Sequence, residues 1–216
     1  MNPLTGIVAI PLALFSALLL FARPAHAPDR DLNQQGLLLL PSAKWHIASP
    51  EVTKLLKGAY PATVATLAGK WSTVFDVPVS WIRSQAYAES RNVLTALNDV
   101  TGAAGVMQVL PKTADWLVES LRKSVFYENP QVRKTMDVGL TGEAENLFNP
   151  DVNIMLAAYY MLVLKRKFGK DHDVVAAAYN IGPNRIAECI RQRRPFPTAS
   201  RIYIAMVKDA KRRGFV

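Results

Sequence analysis

The chain has 216 residues and a formal charge of +9, with 26 Lys and Arg against 17 Asp and Glu. Its length suits one domain, the lone Cys189 excludes an intrachain disulfide or a cysteine-based metal site, and His26, His46 and His172 are too scattered for a zinc cluster. The positive balance points to an anionic partner, whether nucleic acid, lipid head groups or a wall polymer.

The first feature in chain order is an uncharged apolar run over 6–22, short for a bilayer span of about 20 residues. Ala25 and Ala27 follow in the small-x-small pattern of a secretory cleavage site, which predicts a signal peptide over 1–27. Met1 to Gly6 carry no Lys or Arg, so an uncleaved membrane anchor through 6–22 stays open as the alternative. Either reading exports the remainder, to a periplasm or cell envelope, and argues against nucleic acid as the partner. Arg23 is the one charged side chain within 1–27, so the exported part carries +8. Its basic residues gather late, at 191–194 and 208–213.

Residues 28–48 mix Pro, Gly and polar side chains and read as a linker, leaving 49–216 as the folded domain. Ser49, Pro50 and Glu51 make a helix start, with Val52, Leu55 and Leu56 at helical spacing. A second helix over about 61–75 carries Val64, Leu67, Ala68 and Trp71 on one side. A third starts near Asp76, Val77 and Pro78 and places Ile82, Ala86 and Glu89 on a common face. The Asn, Thr, Gly and Ala content of 92–111 breaks helical periodicity and suggests loops with a small hairpin, and Pro111 opens another helix.

The stretch 119–146 is polar and weakly periodic and reads as an insertion. Residues 148–169 are a marked helix: Asn149 caps it, Pro150 takes the first position, Asp151 complements the dipole and Gly169 stops it. Ile154, Ala157, Ala158, Met161, Leu164 and Phe168 form its apolar stripe. Asp171, His172 and Asp173 read as the start of a shorter helix over about 173–181, and a last helix covers about 198–212. No internal repeat emerges, and the class is mainly α.

A carboxylate on the apolar face of a helix has two readings. Glu89 is either paired with a cation such as Arg83 or Arg91, or it is a general acid whose proton is retained because burial disfavours the charged form. Its surroundings choose between them. Glu89-Ser90, then Gly105-Val-Met107-Gln108-Val-Leu-Pro111, then Ala178-Tyr179-Asn180-Ile-Gly-Pro183, and finally Arg201-Ile-Tyr203 resemble, in order, the signature segments of the soluble lytic transglycosylases, glycoside hydrolase family 23.

That resemblance spans about residues 70–210 and implies a single lysozyme-like domain, mainly α with a small β-hairpin (α+β). It implies cleavage of peptidoglycan glycan strands between N-acetylmuramic acid and N-acetylglucosamine, with 1,6-anhydro-muramyl ends and no metal or cofactor. It assigns Glu89 as catalytic acid and base, and Ser90 as its neighbour near the reacting sugar. Met107 and Gln108 line the glycan groove, Tyr179 and Asn180 form the pair whose tyrosine hydroxyl approaches the glutamate, and Tyr203 is an aromatic residue on the closing helix. An apolar Met beside Gln and Asn suits a sugar ring, which has a hydrophobic face and hydroxyl edges.

Three differences from the family stand out. Arg91-Asn92-Val93 replaces an aromatic-Asn-Pro element, the step from Glu89 to Gly105 is about one residue longer, and 119–146 exceeds a usual connection. Two other functions stay open at this point. A goose-type lysozyme would hydrolyse the same bond with a second acid, for which Asp99 is the candidate; a non-catalytic wall-binding part of a secretion, conjugation or phage apparatus would hold glycan without cutting it.

Overall fold

The computed structural model describes residues 60–139 and 147–214. The predicted signal, the linker and the helix start at Ser49 lie outside these residues. Among the described residues eight α-helices form: α1 Tyr60–Phe75, α2 Val79–Ser90, α3 Pro111–Arg122, α4 Pro130–Gly139, α5 Pro150–Phe168, α6 His172–Ile181, α7 Pro183–Arg191 and α8 Thr198–Arg212. A short 3-10 turn, Val125–Glu128, links α3 to α4.

Helix α5 is the axis of the molecule, because eleven consecutive residues from Val152 to Leu162 are buried. The stripe predicted for it therefore widens to nearly its whole circumference, as expected of a helix enclosed by others. Helices α1, α3, α4 and α6 pack around it, while α8 closes over α2 and α6. Its start follows the predicted chemistry: Asn149 accepts from the Asp151 and Val152 amides at 3.0 and 3.3 Å.

On α1, Val64, Ala68, Trp71 and Phe75 recur at helical spacing and are all buried. Phe75 sits against Trp71, Phe126 and Tyr159 at ring separations of 5.7, 5.2 and 5.5 Å. Asp151 binds this corner together, accepting from Lys70 at 2.8 Å, from the Trp71 indole at 2.8 Å and from Thr135 at 2.9 Å.

Three elements differ from the sequence expectation. The hairpin within 92–111 is reduced to two isolated antiparallel bridges, Leu97 with Ala104 and Ala104 with Val109. Residues 119–139 are largely helical, and α4 buries Val132 and Met136, one turn apart, beside α5. Helix α7 was not anticipated: Gly182 and Pro183 look like a stop after α6, but Pro183 also occupies the first position of a new helix, where its missing N–H costs nothing. Gly182, at φ +91°, makes the corner between the two.

Candidate active site

Glu89 sits in the last turn of α2, which ends when Arg91 turns left-handed, at φ +58°, and donates its amide to the Tyr87 carbonyl at 2.9 Å. Asn92 follows at φ +64°, so two successive non-glycine residues hold a left-handed turn directly after the site. Ile82, Gln85 and Ala86 on the preceding turns are all fully buried. Glu89 itself is half-buried.

Neither Arg83 nor Arg91 forms an ion pair with Glu89. The Arg91 guanidinium lies over the Tyr87 ring instead, 4.7 Å from its centre. The partner of Glu89 is the Tyr203 hydroxyl, which donates to Oε1 at 2.6 Å from α8. Burial pushes the Glu89 carboxyl up to about 7, and the Tyr203 hydrogen bond only partly offsets that rise. Burial, and then the charge of Glu89, holds the phenols of both Tyr203 and Tyr179 well above their usual range.

Ser90 anchors the loop that follows. It is buried, and its hydroxyl lies 2.8 Å from the Val106 carbonyl, to which it donates, and 3.2 Å from that of Ala86. The loop returns on itself through reciprocal bonds between Ala104 and Val109, at 3.1 and 3.0 Å, and from the Gly105 amide to the Ala96 carbonyl at 2.8 Å. Gly105 is required twice over. Its φ is +76°, and a Cβ there would collide with the Leu147 carbonyl and the Asn153 side chain.

Asn153, fully buried on α5, holds this loop from beneath: it accepts from the Met107 amide at 2.8 Å and donates to the Ala104 carbonyl at 3.0 Å. Gln108, at φ +48°, folds its amide back to donate to the Ala96 and Gly105 carbonyls at 3.0 and 2.9 Å.

Of the residues expected of the site, hydrogen bonds join Tyr203 to Glu89, Ser90 to the 105–109 loop and Tyr179 to Met107, and several face differently from the expectation. Tyr203, not Tyr179, bonds Glu89; the Tyr179 hydroxyl donates to the Met107 carbonyl at 3.0 Å. Met107 is 0% exposed and belongs to the core, so its side chain does not line a groove, and Ser90 points into the loop rather than outward. Gln108, Tyr179 and Asn180 remain half-buried, and Asn180 keeps an enclosed Oδ1 without a hydrogen-bond partner. Asp99 lies exposed in a turn whose amides at Val100 and Thr101 are capped by Asn98 at 3.0 Å.

Two residues were missed by the sequence reading. Asn153 looked like one more position on a core helix; a polar side chain inside an apolar stripe was the available signal. Gln85 is the other, 0% exposed and one turn before Glu89, donating to the Tyr203 hydroxyl at 3.3 Å. Among the described residues no three His, Cys, Asp or Glu side chains gather in an arrangement able to hold a metal ion.

A helical domain that carries a desolvated glutamate at the end of one helix, with a tyrosine hydroxyl upon it and a glycine-pinned loop beside it, is a lysozyme-like arrangement. The transglycosylase SLT domain profile matches residues 66–202, and the chain belongs to that family. It is 25% identical over 131 residues to the soluble lytic murein transglycosylases of Escherichia coli K12 and O157:H7. The match takes in 61% of this chain and spans 18% of each relative's length. Among solved structures, the 70 kDa soluble lytic transglycosylase of Escherichia coli aligns with a TM-score of 0.57 at 24% identity, over 76% of this chain and 26% of that one. Its complex with bulgecin A aligns equally well, at 22% identity, over the same shares. These two alignments agree with the fold described above.

Proposed function

We propose that this protein is a peptidoglycan lytic transglycosylase that works with Glu89 as its single acid and base. The observation that carries the reading is the state of Glu89: half-buried, without a cationic partner among the described residues, hydrogen-bonded by Tyr203 and raised to about 7, so that its proton is available near neutral pH.

In this reading Glu89 protonates the oxygen linking N-acetylmuramic acid to N-acetylglucosamine, and the bond to C1 breaks. The neighbouring N-acetyl group helps to stabilise the oxocarbenium-like centre. Ionised Glu89 then takes the proton from the C6 hydroxyl as that oxygen closes onto C1. The product is a 1,6-anhydro end, water is not consumed, and one carboxylate serves where ordinary glycosidases employ two.

Gln108 and Asn180 are the polar groups proposed to meet the sugar, and Tyr179 acts by holding the Met107 carbonyl and the loop. Residues 1–27 serve in export or anchoring, 28–48 link them to the domain, and the domain works in the cell envelope. Mass spectrometry of soluble fragments released from purified peptidoglycan tests the proposal. Anhydro-muramyl ends released by the unaltered chain and not by Glu89→Gln support it, whereas reducing ends would show hydrolysis, and no release would refute an autonomous lytic enzyme.

A further inference from the structure

Gln85 stands one turn before Glu89 on α2, and its side chain is fully buried. Among the described residues it makes one hydrogen bond, from Nε2 to the Tyr203 hydroxyl at 3.3 Å, while Oε1 is enclosed with no partner. A Leu or Met of similar volume would pack there without an unmet acceptor, so packing alone does not account for the amide. Its one bond ends on the hydroxyl that donates to Glu89 Oε1 at 2.6 Å. Amide, phenol and carboxyl therefore stand in line, each donating to the next. Among the described residues Tyr203 on α8 and Tyr179 on α6 are the titratable groups that sense the charge of Glu89, and the Tyr179 hydroxyl is turned to the Met107 carbonyl.

The direction of that line decides where the proton of Glu89 rests. A protonated carboxyl beside a phenol has two arrangements. In one, Oε1 accepts from Tyr203 and the proton sits on Oε2, where it can be given away; in the other, the proton sits on Oε1 and is donated to the Tyr203 oxygen. The Gln85 N–H weighs against the second. A phenol has one hydrogen, and with Nε2 facing its oxygen, a further donation from Glu89 would leave that hydrogen buried without an acceptor. Turning the amide over would supply Oε1 but strand both Nε2 hydrogens, and a buried orphan N–H is tolerated less than an orphan carbonyl. The same bond is the one influence that lowers the Tyr203 phenol, against burial, Glu89 and Tyr179, which makes Tyr203 a stronger donor to Oε1.

We propose that Gln85 is a positioning residue whose fixed N–H keeps the Tyr203 hydroxyl pointed at Glu89 Oε1, so that the transferable proton of Glu89 stays on Oε2. This rests on the acid role proposed for Glu89. Gln85 acts only through Tyr203 and, being fully buried, meets no substrate.

The test uses the full-length chain and Gln85→Met, which keeps the volume and removes the donor. In a 13C titration of the Glu89 carboxyl, Gln85→Met is expected to raise the midpoint by on the order of half a pH unit, because the ionised form loses donor strength and the protonated form gains the Oε1 arrangement. The falling limb of fragment release should move up with it. Below that limb kcat is expected to drop about five-fold, with KM changed less than about two-fold. On a Tyr203→Phe background the same substitution is expected to move none of these. A midpoint and limb that stay in place in Gln85→Met would overturn the inference, as would a shift of equal size without the Tyr203 hydroxyl. If Gln85→Met does not fold, the unaltered chain decides: nuclear Overhauser contacts from the Gln85 side-chain N–H groups to the Tyr203 ring are expected at about pH 5 and about pH 9 alike, on both sides of the Glu89 midpoint. Their loss at the lower pH would show that the amide does not hold the hydroxyl. The titration needs no substrate, so a raised midpoint without any release of glycan fragments would defeat the functional proposal and leave the placement of the proton standing.

Discussion

Two half-buried carboxylates, Asp151 and Glu89, show how differently one functional group can be used. Asp151 stands in the first turn of α5, where the helix dipole favours negative charge, and collects an ammonium, an indole N–H and a threonine hydroxyl within 2.8 to 2.9 Å. Glu89 stands in the last turn of α2, where the dipole disfavours negative charge, and among the described residues it is bonded by one phenol. The first carboxylate is saturated and ties α1, α4 and α5 together; the second is left short of partners, and its proton is correspondingly easy to move. Burial raises Glu89, and the cationic and neutral donors that Asp151 collects are what it lacks among the described residues.

Removing the charge at each position is the strongest way to break this comparison. Glu89→Gln is expected to lower glycan cleavage by about 10³-fold, within the range a general acid supplies, while the chain stays folded. Asp151→Ala is expected to lose about 2–3 kcal/mol of stability in denaturant unfolding, since Lys70 and Trp71 are stranded in a part-buried corner. Its activity is expected to persist wherever it remains folded. A Glu89→Gln chain that still cleaves, or an Asp151→Ala chain that is stable and inert, would reverse the two assignments.

Tyr203 links the comparison to pH. Its hydrogen bond lowers the Glu89 pKa against the larger effect of burial, so Tyr203→Phe is expected to raise that pKa further. A general acid must be protonated, so activity is expected to fall as pH passes about 7 in the unaltered chain, and this falling limb is expected to move to higher pH in Tyr203→Phe. The maximal rate should drop about ten- to thirty-fold through loss of the oriented bond. A pH profile of fragment release checks both.

Stability carries the same signature with a worked sign. Glu89 is raised in the fold from 4.5 to about 7, so the folded state binds more protons than the unfolded one between these values, and stability falls as pH rises through them. Glu89→Gln, which has no charge to bury, is therefore expected to be more stable than the unaltered chain at pH 8, by on the order of 2 kcal/mol after allowing for partial exposure. The gap should close near pH 4. Parallel denaturant titrations at the two pH values measure it, and an equal gap at both would show that Glu89 is not desolvated.

The contrast between the carboxylates was only half visible in the sequence. Asn149, Pro150 and Asp151 obey local rules of helix initiation, and Gly105 and Glu89 stand out as a turn residue and as a charge on an apolar face. What decides their use comes from far along the chain: Tyr203 is 114 residues from Glu89, and Gln85 is 118 from Tyr203. The sequence order of Tyr179 and Tyr203 does not say which hydroxyl reaches the glutamate, and the spacing of Met107 does not say that it faces the core. Helix α4 escaped notice because two apolar residues one turn apart, in a charged segment, suffice once α5 lies beneath them. Helix α7 escaped because a Gly-Pro pair can end one helix and begin the next.

Asp99 offers a third carboxylate on which to sharpen the comparison, and it should show the smallest effect. A hydrolase needs a second acid or base to activate water, placed across the scissile bond from the first. Asp99 is exposed, and the Asn98 side chain already caps the turn amides around it, so it lacks both the desolvation of Glu89 and the donors of Asp151. Asp99→Asn is expected to leave the rate of fragment release within about two-fold, because an amide preserves turn chemistry and no proton transfer is assigned to this position. The product should keep its anhydro ends. If the rate instead collapses while the unaltered chain yields reducing ends, the site is a two-carboxylate hydrolase, and the proton economy assigned to Glu89 alone is wrong.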